Sequence, residues 1–557
     1  MLSFCACCHT EWCYKIKNLT IYLQSVYYAA EHYLPNYITG SFMQEFVDFL
    51  NGIIWSPILI YLCLGAGLFY SIATRFVQLR HFREMWRLLL SGKSSDKGIS
   101  SFQALAVSLS GRVGTGNIAG VAAAIGFGGP GAVFWMWVVA FLGAATAYTE
   151  SALAQIYKEE DEDGQFRGGP AYYIEKAMGQ KWYAWIFAIA TIFACGILLP
   201  GVQSNSIGNA VEAAFGPGEM IETAIGTISF AKIVTGTVIS IFLAFIIFGG
   251  VKRIANFTQI VVPFMALAYI VVAFIIILLN IGQVPAVFAM ILGDAFTPMA
   301  GFGAAIGWGV KRGVYSNEAG QGTGPHAAAA ADVEHPAQQG LVQAFSIYID
   351  TLLVCSATAF MIIITGAYNV HGGAEGVFLV QNLAANIGAN GPVFTQMAIE
   401  SAMPGIGKPF IAFALFFFAF TTILAYYYIA ETNIAYIRRT FKVPGLMFIL
   451  KGVLIVAVFY GTVKTANLAW ALGDVGVGLM AWLNIVGILI VFFLGRPALK
   501  ALKDYEAQQK AGVTEFTFDP VKLGIKGADF WEKKLKSQGK PKAVEDVVDG
   551  EPVKPLA

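Results

Sequence analysis

Eleven stretches of about twenty mostly apolar residues run through this 557-residue chain, near 53–74, 101–126, 131–157, 182–203, 231–249, 260–281, 286–308, 342–365, 410–434, 446–463 and 468–494. That length is what an α-helix needs to cross roughly 30 Å of hydrocarbon at about 1.5 Å per residue. The spacing predicts an all-α integral membrane protein with about eleven transmembrane helices. Composition agrees: 57% of the residues are hydrophobic and 13% charged, against about half and about a quarter in a soluble domain. A formal net charge of +1 offers no basic surface for nucleic acid.

Lys and Arg collect on the cytoplasmic side of short loops. One set of alternate loops carries Arg75 to Lys97, Lys158 to Lys181, Lys252 and Arg253, Lys311 and Arg312, and Arg438 to Lys442, whereas the other holds only Lys408 and Lys464. The first set is expected inside a plasma membrane, or the inner membrane of a Gram-negative cell. The N-terminus is then outside and the C-terminus cytoplasmic.

Cys63, Cys195 and Cys355 lie in apolar spans and read as small core residues. Cys5, Cys7, Cys8 and Cys13, with His9, lack the ligand spacing of a zinc site. Met43 stands just before the first span, so residues 1–42 read as an over-extended start or an arm.

The span that reads "GRVGTGNIAGVAAAIGFGGPG" at 111–131 places Arg112, Gly114, Gly116 and Asn117 within the bilayer. Each glycine lowers helix propensity by about 1 kcal/mol relative to alanine, and irregular backbone survives in a membrane only where it is buried or lines a cavity. Freed amides at such a break attract a carboxylate, and freed carbonyls ligate a cation. Packing of small residues explains part of the stretch, Gly120 above all. Five spans later "TPMAGFGAAIGWGVKRG" at 297–313 is again rich in glycine and is expected to form a second break. Paired discontinuous helices in corresponding positions point to an inverted-repeat transporter. The halves are 98–281 and 282–495, preceded by one peripheral helix within 43–76 and followed by a tail, 496–557.

These motifs, with "RGGPAYYIEKAMG" at 167–179, "PGVQSNSIGNA" at 200–210, "RGVYSNEAGQGTGPHAAAAA" at 312–331, "IDTLLVCSATA" at 349–359 and "FAFTTILAYYYIAET" at 418–432, carry a resemblance. The chain is similar to the alanine or glycine:cation symporter family over about 43–495. These are sodium-coupled carriers of small neutral amino acids with a LeuT-type 5+5 inverted-repeat fold. The resemblance implies that Thr115, Gly116 and Asn117 meet the substrate carboxylate and that Gln203 reaches the amino acid from across the pocket. Gly301, Phe302 and Gly303 would offer acceptors to its ammonium group. Thr421 and Thr422 resemble a hydroxyl pair that holds sodium together with main-chain oxygens at Ser110 and Val113. Hard oxygen ligands suit such a cation. Where many members read Gly-Trp, this chain reads Ala425-Tyr426, which implies a roomier, more polar pocket around Tyr426.

The implied partners are a small neutral amino acid, sodium as coupling ion and membrane lipid, with no organic cofactor. Alanine or glycine is the expected substrate. The alternatives are a proton-coupled carrier or one for serine or glutamine, and from another class a passive channel. An intramembrane enzyme is disfavoured, because His9, His32, His81, His326, His335 and His371 are all read as lying outside the spans. Asp350, an intramembrane carboxylate, is either functional or a structural partner of Arg112. Glu150 and Glu431 read as gate or loop anchors. "SNEAG" at 316–320 reads as a cytoplasmic loop, an inner gate or a helix cap. The tail reads as disordered or as a short amphipathic helix.

Overall fold

The computed structural model describes residues 34–90, 98–223, 226–296, 302–372 and 376–537. Two compact units divide the chain, Met1–Ile53 and Ile54–Ala557. In the first, the described element is α1 (Leu34–Ile54); the four N-terminal cysteines and His9 lie outside the described residues.

The second unit opens with α2 (Pro57–Ala73), then the short α3 (Val77–Arg80) and α4 (Phe82–Leu90). α5 (Ser101–Arg112) begins at a capping box: Ser100 Oγ accepts from the Gln103 amide at 3.1 Å, and Gln103 Oε1 from the Ser100 amide at 3.0 Å. A π-helical turn (Gly116–Gly120) and α6 (Val121–Gly128) continue the same span. α7 (Gly131–Ile156), a hairpin of β1 (Glu159–Glu160) and β2 (Phe166–Arg167), and α8 (Pro170–Met178) follow. α9 (Lys181–Phe193) and α10 (Leu199–Phe215) form one span across a π turn. A second hairpin, β3 (Met220–Thr223) with β4 (Gly226–Ser229), leads to α11 (Phe230–Ile247), α12 (Gly250–Leu279) and the short α13 (Val284–Asp294).

The second half holds α14 (Phe302–Asn317), α15 (Gly324–Ala330), and α16 (Pro336–Ile347) joined through a π segment (Tyr348–Cys355) to α17 (Ser356–Thr365). Then come a hairpin of β5 (Asn369–His371) and β6 (Phe378–Gln381), α18 (Val393–Ala402), α19 (Gly407–Arg438), α20 (Leu446–Val463) and α21 (Ala466–Gly495). The chain finishes in α22 (Pro497–Lys510) and α23 (Asp529–Ser537).

Among the described residues eight helices are long and apolar enough to cross a membrane. With α2 and the interrupted spans α5–α6 and α14–α15, the count reaches the expected eleven. The interrupted spans stand five apart and so cross in opposite directions, as an inverted repeat requires. α7 runs through the middle of the bundle, packed on α16, α14, α2 and α15. In α11, α12 and α20 only about a third of the residues or fewer are buried, and these helices turn residues such as Phe245 and Phe264 outward, as lipid-facing helices do.

Two expectations need correction. The seventh span is not 286–308: α13 occupies the first part of that stretch, and the span itself runs from Phe302 through Ala330. Lys311 and Arg312, expected on an inner loop, lie within α14. Asp474 on α21 neutralises both, at 2.6 Å from Lys311 Nζ and 2.8 Å from Arg312 Nη1, which is how the bundle tolerates them.

The described part of the tail is folded. Trp531, 2% exposed, donates to the Gln155 carbonyl at 2.8 Å. Buried Lys158 donates to the Ala331 carbonyl at 2.8 Å and lies over the rings of Phe166 and Phe530. Glu506 meets Arg80 at 2.7 Å and His81 at 3.0 Å. The C-terminal end of α7, the turn before α16, α3 and the tail therefore share one face of the bundle.

Candidate functional site

The first break starts where α5 runs into Val113, whose backbone leaves helical geometry at φ −77, ψ 82. Asn117 Oδ1 folds back to accept from the Gly114 amide at 2.8 Å. Gln203 Oε1, from α10, accepts from the Thr115 amide at 3.0 Å. Both freed donors are thus satisfied inside the protein, as a low-dielectric site demands. Gly114 is the close-approach point: a Cβ there would collide with Thr422 Oγ1 and stand 3.1 Å from Gln203 Oε1. The Thr115 hydroxyl is buried with no hydrogen-bond partner among the described residues.

Thr422, on α19, bridges to the break. Its Oγ1 lies 2.7 Å from the Ser110 carbonyl and 2.9 Å from that of Phe418. Thr421 does not join it, contrary to expectation. Its hydroxyl turns to the Phe417 and Phe418 carbonyls of its own helix and towards Met265 on α12. Successive helix residues point about 100° apart, so only one of the pair faces Ser110. Val113 is buried beside them.

From Phe302 to Gly313 the chain holds no second break; 297–301 lie outside the described residues. α14 runs unbroken from Phe302 to Asn317, through Gly303, Gly307, Gly309 and Gly313. A Cβ at Gly309 would stand 2.5 Å from the Ala132 carbonyl of α7; the glycine there serves close helix packing. Gly301 lies outside the described residues, and Gly303 is exposed at the start of α14, away from the break. Phe302 supplies the first backbone position of α14. Of the three, Gly303 is the one whose surroundings are described, and it does not line the break.

The actual interruption is 318–323, the segment that had read as a loop or cap. Glu318 sits at φ +57, Gly320 at +84 and Gly322 at +81. Glu150 of α7 accepts from the Gly320 amide at 3.3 Å and from Asn484 Nδ2 of α21 at 2.7 Å, and Asn484 donates in turn to the Gly320 carbonyl at 3.0 Å. Arg112 ties the two breaks together. Its Nε donates to the Asn317 carbonyl at 2.7 Å, and its Nη1 to Gln343 Oε1 at 3.0 Å and to Ser346 Oγ. A fixed cation at the C-terminal end of a half-helix meets the freed carbonyls and the negative dipole end, which explains an arginine at this depth.

Asp350, in the π segment, completes the cluster. It accepts from Asn117 Nδ2 at 2.6 Å, from Thr351 Oγ1 at 2.6 Å and from Ser316 Oγ at 3.0 Å. Its partners are these neutral donors and not Arg112. Ser316 escaped the sequence reading because it follows the charged pair Lys311 and Arg312, which had placed it outside the membrane. Tyr426 is buried on α19 with Glu318, Tyr315 and Cys195 as its electrostatic neighbours. His326 is also not a loop residue: it lies buried in α15, its Nδ1 3.0 Å from the Thr323 carbonyl and its Nε2 2.9 Å from Asn433 Nδ2.

Two opposed broken helices that meet at the centre of a membrane bundle, with unwound backbone facing side chains from α10, α16 and α19, define a secondary transporter. Residues 40–519 match the sodium:alanine symporter family, and the chain belongs to that family. It is 58% identical, over 88% of its length and 98% of the relative's, to YrbD of Bacillus subtilis, named as a candidate sodium/proton-dependent alanine carrier. It is 51% identical to the sodium/proton-dependent alanine carrier protein of Bacillus sp. strain PS3, over 81% of this chain and 98% of that one. It is 37% identical to the sodium/alanine symporter AgcS of Methanococcus maripaludis, over 80% and 94%. The protein is a multi-pass membrane transporter of the amino-acid symport class and not an enzyme.

Proposed function

We propose that the protein carries a small neutral amino acid, alanine first, into the cell by alternating access with sodium as the coupled ion. The observation that carries this reading is the 2.7 Å approach of Thr422 Oγ1 to the Ser110 carbonyl. It holds a hydroxyl and a main-chain oxygen of the broken helix close enough to share a hard cation. Ser110, Val113 and Thr422 are the proposed sodium ligands. Thr115, Gly116 and Asn117 receive the substrate carboxylate, in exchange for the contact that the Thr115 amide makes with Gln203. Tyr426 bounds the side-chain end.

The N-terminus is outside and the C-terminus cytoplasmic in this reading. Moving Lys311 and Arg312 into α14 leaves the remaining loop asymmetry intact, with Lys408 and Lys464 alone on the outer side. A proton as co-ion is the second reading, favoured by the names of the two Bacillus relatives.

Uptake of radiolabelled alanine into proteoliposomes with and without an inward sodium gradient tests the proposal, with glycine, serine, glutamine and D-alanine as competitors. Saturable uptake that requires sodium is expected. Uptake indifferent to any cation gradient overturns it. Tyr426→Trp is expected to narrow the competitor range; unchanged competition by glutamine contradicts the assigned place of Tyr426.

A further inference from the structure

Among the described residues four carboxylates are buried within the spans or their breaks, and one of them is under-bonded. Asp474 is paired with two cations, Asp350 has three donors and Glu150 two. Glu318, 1% exposed, receives one close hydrogen bond, from Thr323 Oγ1 to Oε2 at 2.9 Å, with the Tyr426 hydroxyl as a looser neighbour. Its Oε1 has no partner within hydrogen-bond distance among the described residues. A buried charged oxygen left so is costly.

The backbone is strained to bring the group there. Glu318 adopts φ +57, a left-handed conformation that is unfavourable for a residue with a side chain and persists where the surroundings enforce it. Beside it lies a cavity of about 10 Å³, lined by Ser108, Gly111, Thr323, Gly324 and Ala425 among others, which is room for about one water. Two more buried polar atoms at this place lack partners, Ser108 Oγ and Arg112 Nη2. A Cβ on Gly111 would stand 3.2 Å from Glu318 Oε2, and one on Gly324 would collide with Arg112 Nη2; the two glycines keep the space open. Ala425 follows Thr422 by three residues on α19, about 4.5 Å along the helix.

We propose that Glu318 binds and releases a proton during transport, as a titratable site adjoining the Ser110–Thr422 pair. The inference rests on the reading of the protein as a cation-coupled amino-acid carrier. An O–H bond forms on Oε1 with a proton taken from water on one side of the membrane and breaks when that proton passes to water on the other; no electrons are exchanged. The groups that face the carboxyl are Arg112 from α5, Asp350 from the π segment, Tyr426 from α19, Cys195 from the turn between α9 and α10, and Tyr315 from its own helix. The fixed charge of Arg112 opposes a metal cation in this cavity. It opposes a proton's charge as well, but a proton needs no coordination shell, for which a space of about 10 Å³ has no room.

Purified protein in pyranine-loaded proteoliposomes tests this, with lumenal acidification recorded on addition of alanine and radiolabelled alanine uptake measured in parallel. The wild type is expected to acidify the lumen as alanine enters, and Glu318→Gln to do so at least tenfold more slowly per alanine carried. Equal acidification per alanine by the variant overturns the assignment to Glu318. Sodium-driven alanine uptake without acidification in the wild type overturns the proton site and leaves the carrier reading standing, whereas no uptake under any gradient fails both.

Thr323→Val keeps the test open if Glu318→Gln does not fold. Removal of the hydroxyl that stabilises the carboxylate is expected to move the pH midpoint of uptake upward by about one unit, a tenfold change in proton affinity. An unmoved midpoint overturns the proposal.

Discussion

Asn117 joins Asp350 across 2.6 Å through its Nδ2 while its Oδ1 accepts from the Gly114 amide at 2.8 Å. One side chain therefore closes the first broken helix on itself and fastens it to the π segment between α16 and α17. Both bonds depend on the amide's having a donor and an acceptor, which a carboxylate or an alkyl group lacks.

Asn117→Ala leaves the Gly114 amide unsatisfied, at about 1–3 kcal/mol for a buried group, and leaves Asp350 Oδ1 with Ser316 Oγ at 3.1 Å as its remaining donor. Initial rates of alanine uptake are expected to fall at least tenfold, with a lower melting temperature in detergent. Wild-type rates would show that the break is held by other contacts.

The threonine pair should separate cleanly. Thr422→Ala removes the hydroxyl 2.7 Å from the Ser110 carbonyl, whereas Thr421→Ala removes one directed at its own helix. The sodium concentration for half-maximal uptake is expected to rise at least tenfold in the first variant and less than threefold in the second. Equal effects would mean that both hydroxyls reach the ion.

In the C-terminal half of α14, Asp474 meets Arg312 in two parallel bonds of 2.8 and 3.1 Å and Lys311 at 2.6 Å, with Trp470 packed on the guanidinium at 4.5 Å. Loss of one partner from a buried ion cluster costs about 3–5 kcal/mol. Asp474→Ala is expected to lower the melting temperature by several degrees and more than Asp474→Asn does, as read by scanning fluorimetry. An unchanged melt would place the cluster in contact with water.

Acid should loosen the tail. Burial pushes the Glu506 carboxyl up, but hydrogen bonds from His81 and Arg80 and their charges outweigh it and hold the group below the usual glutamate value. Burial also holds the His335 imidazole below its usual value, against the pull of Asp504. Both depressions have the same sign. The docked tail binds fewer protons than the free one, so its stabilisation is full above the ordinary values of 6.5 for His335 and 4.5 for Glu506 and is lost as pH falls through them. Protease cleavage of the tail is expected to accelerate below about pH 6, and Glu506→Gln to remove the part of that response below about pH 5. A pH-independent cleavage rate contradicts the docking geometry.

Hydrophobic run length made the number of spans legible, because the bilayer imposes one length on every helix. The first break was legible too, since Gly114, Gly116 and Asn117 combine weak helix formers with polar groups that hydrocarbon does not tolerate. The second break was not. Gly303 to Gly313 look like an interruption, yet the helix runs through them and Gly309 and Gly313 pack it onto α7, while 318–323 looks like a polar loop because Lys311 and Arg312 stand before it. Only the pairing of those charges with Asp474, far along the chain, reveals that the membrane continues past them. The same long-range pairing hid His326 and Ser316. The tail shows no apolar period, and its fold rests on a few anchors, Trp531 and Glu506 among them, that find partners on other elements.

The most direct test is the linkage between ion and substrate. Alanine binding to purified protein, followed by tryptophan fluorescence across a range of sodium concentrations and then with the titration reversed, yields one coupling factor measured twice. The account predicts that sodium tightens alanine binding at least tenfold, that alanine tightens sodium binding by the same factor, and that Thr422→Ala abolishes both effects. Alanine affinity that does not change with sodium would contradict a cation shared between Ser110 and Thr422 at the broken helix.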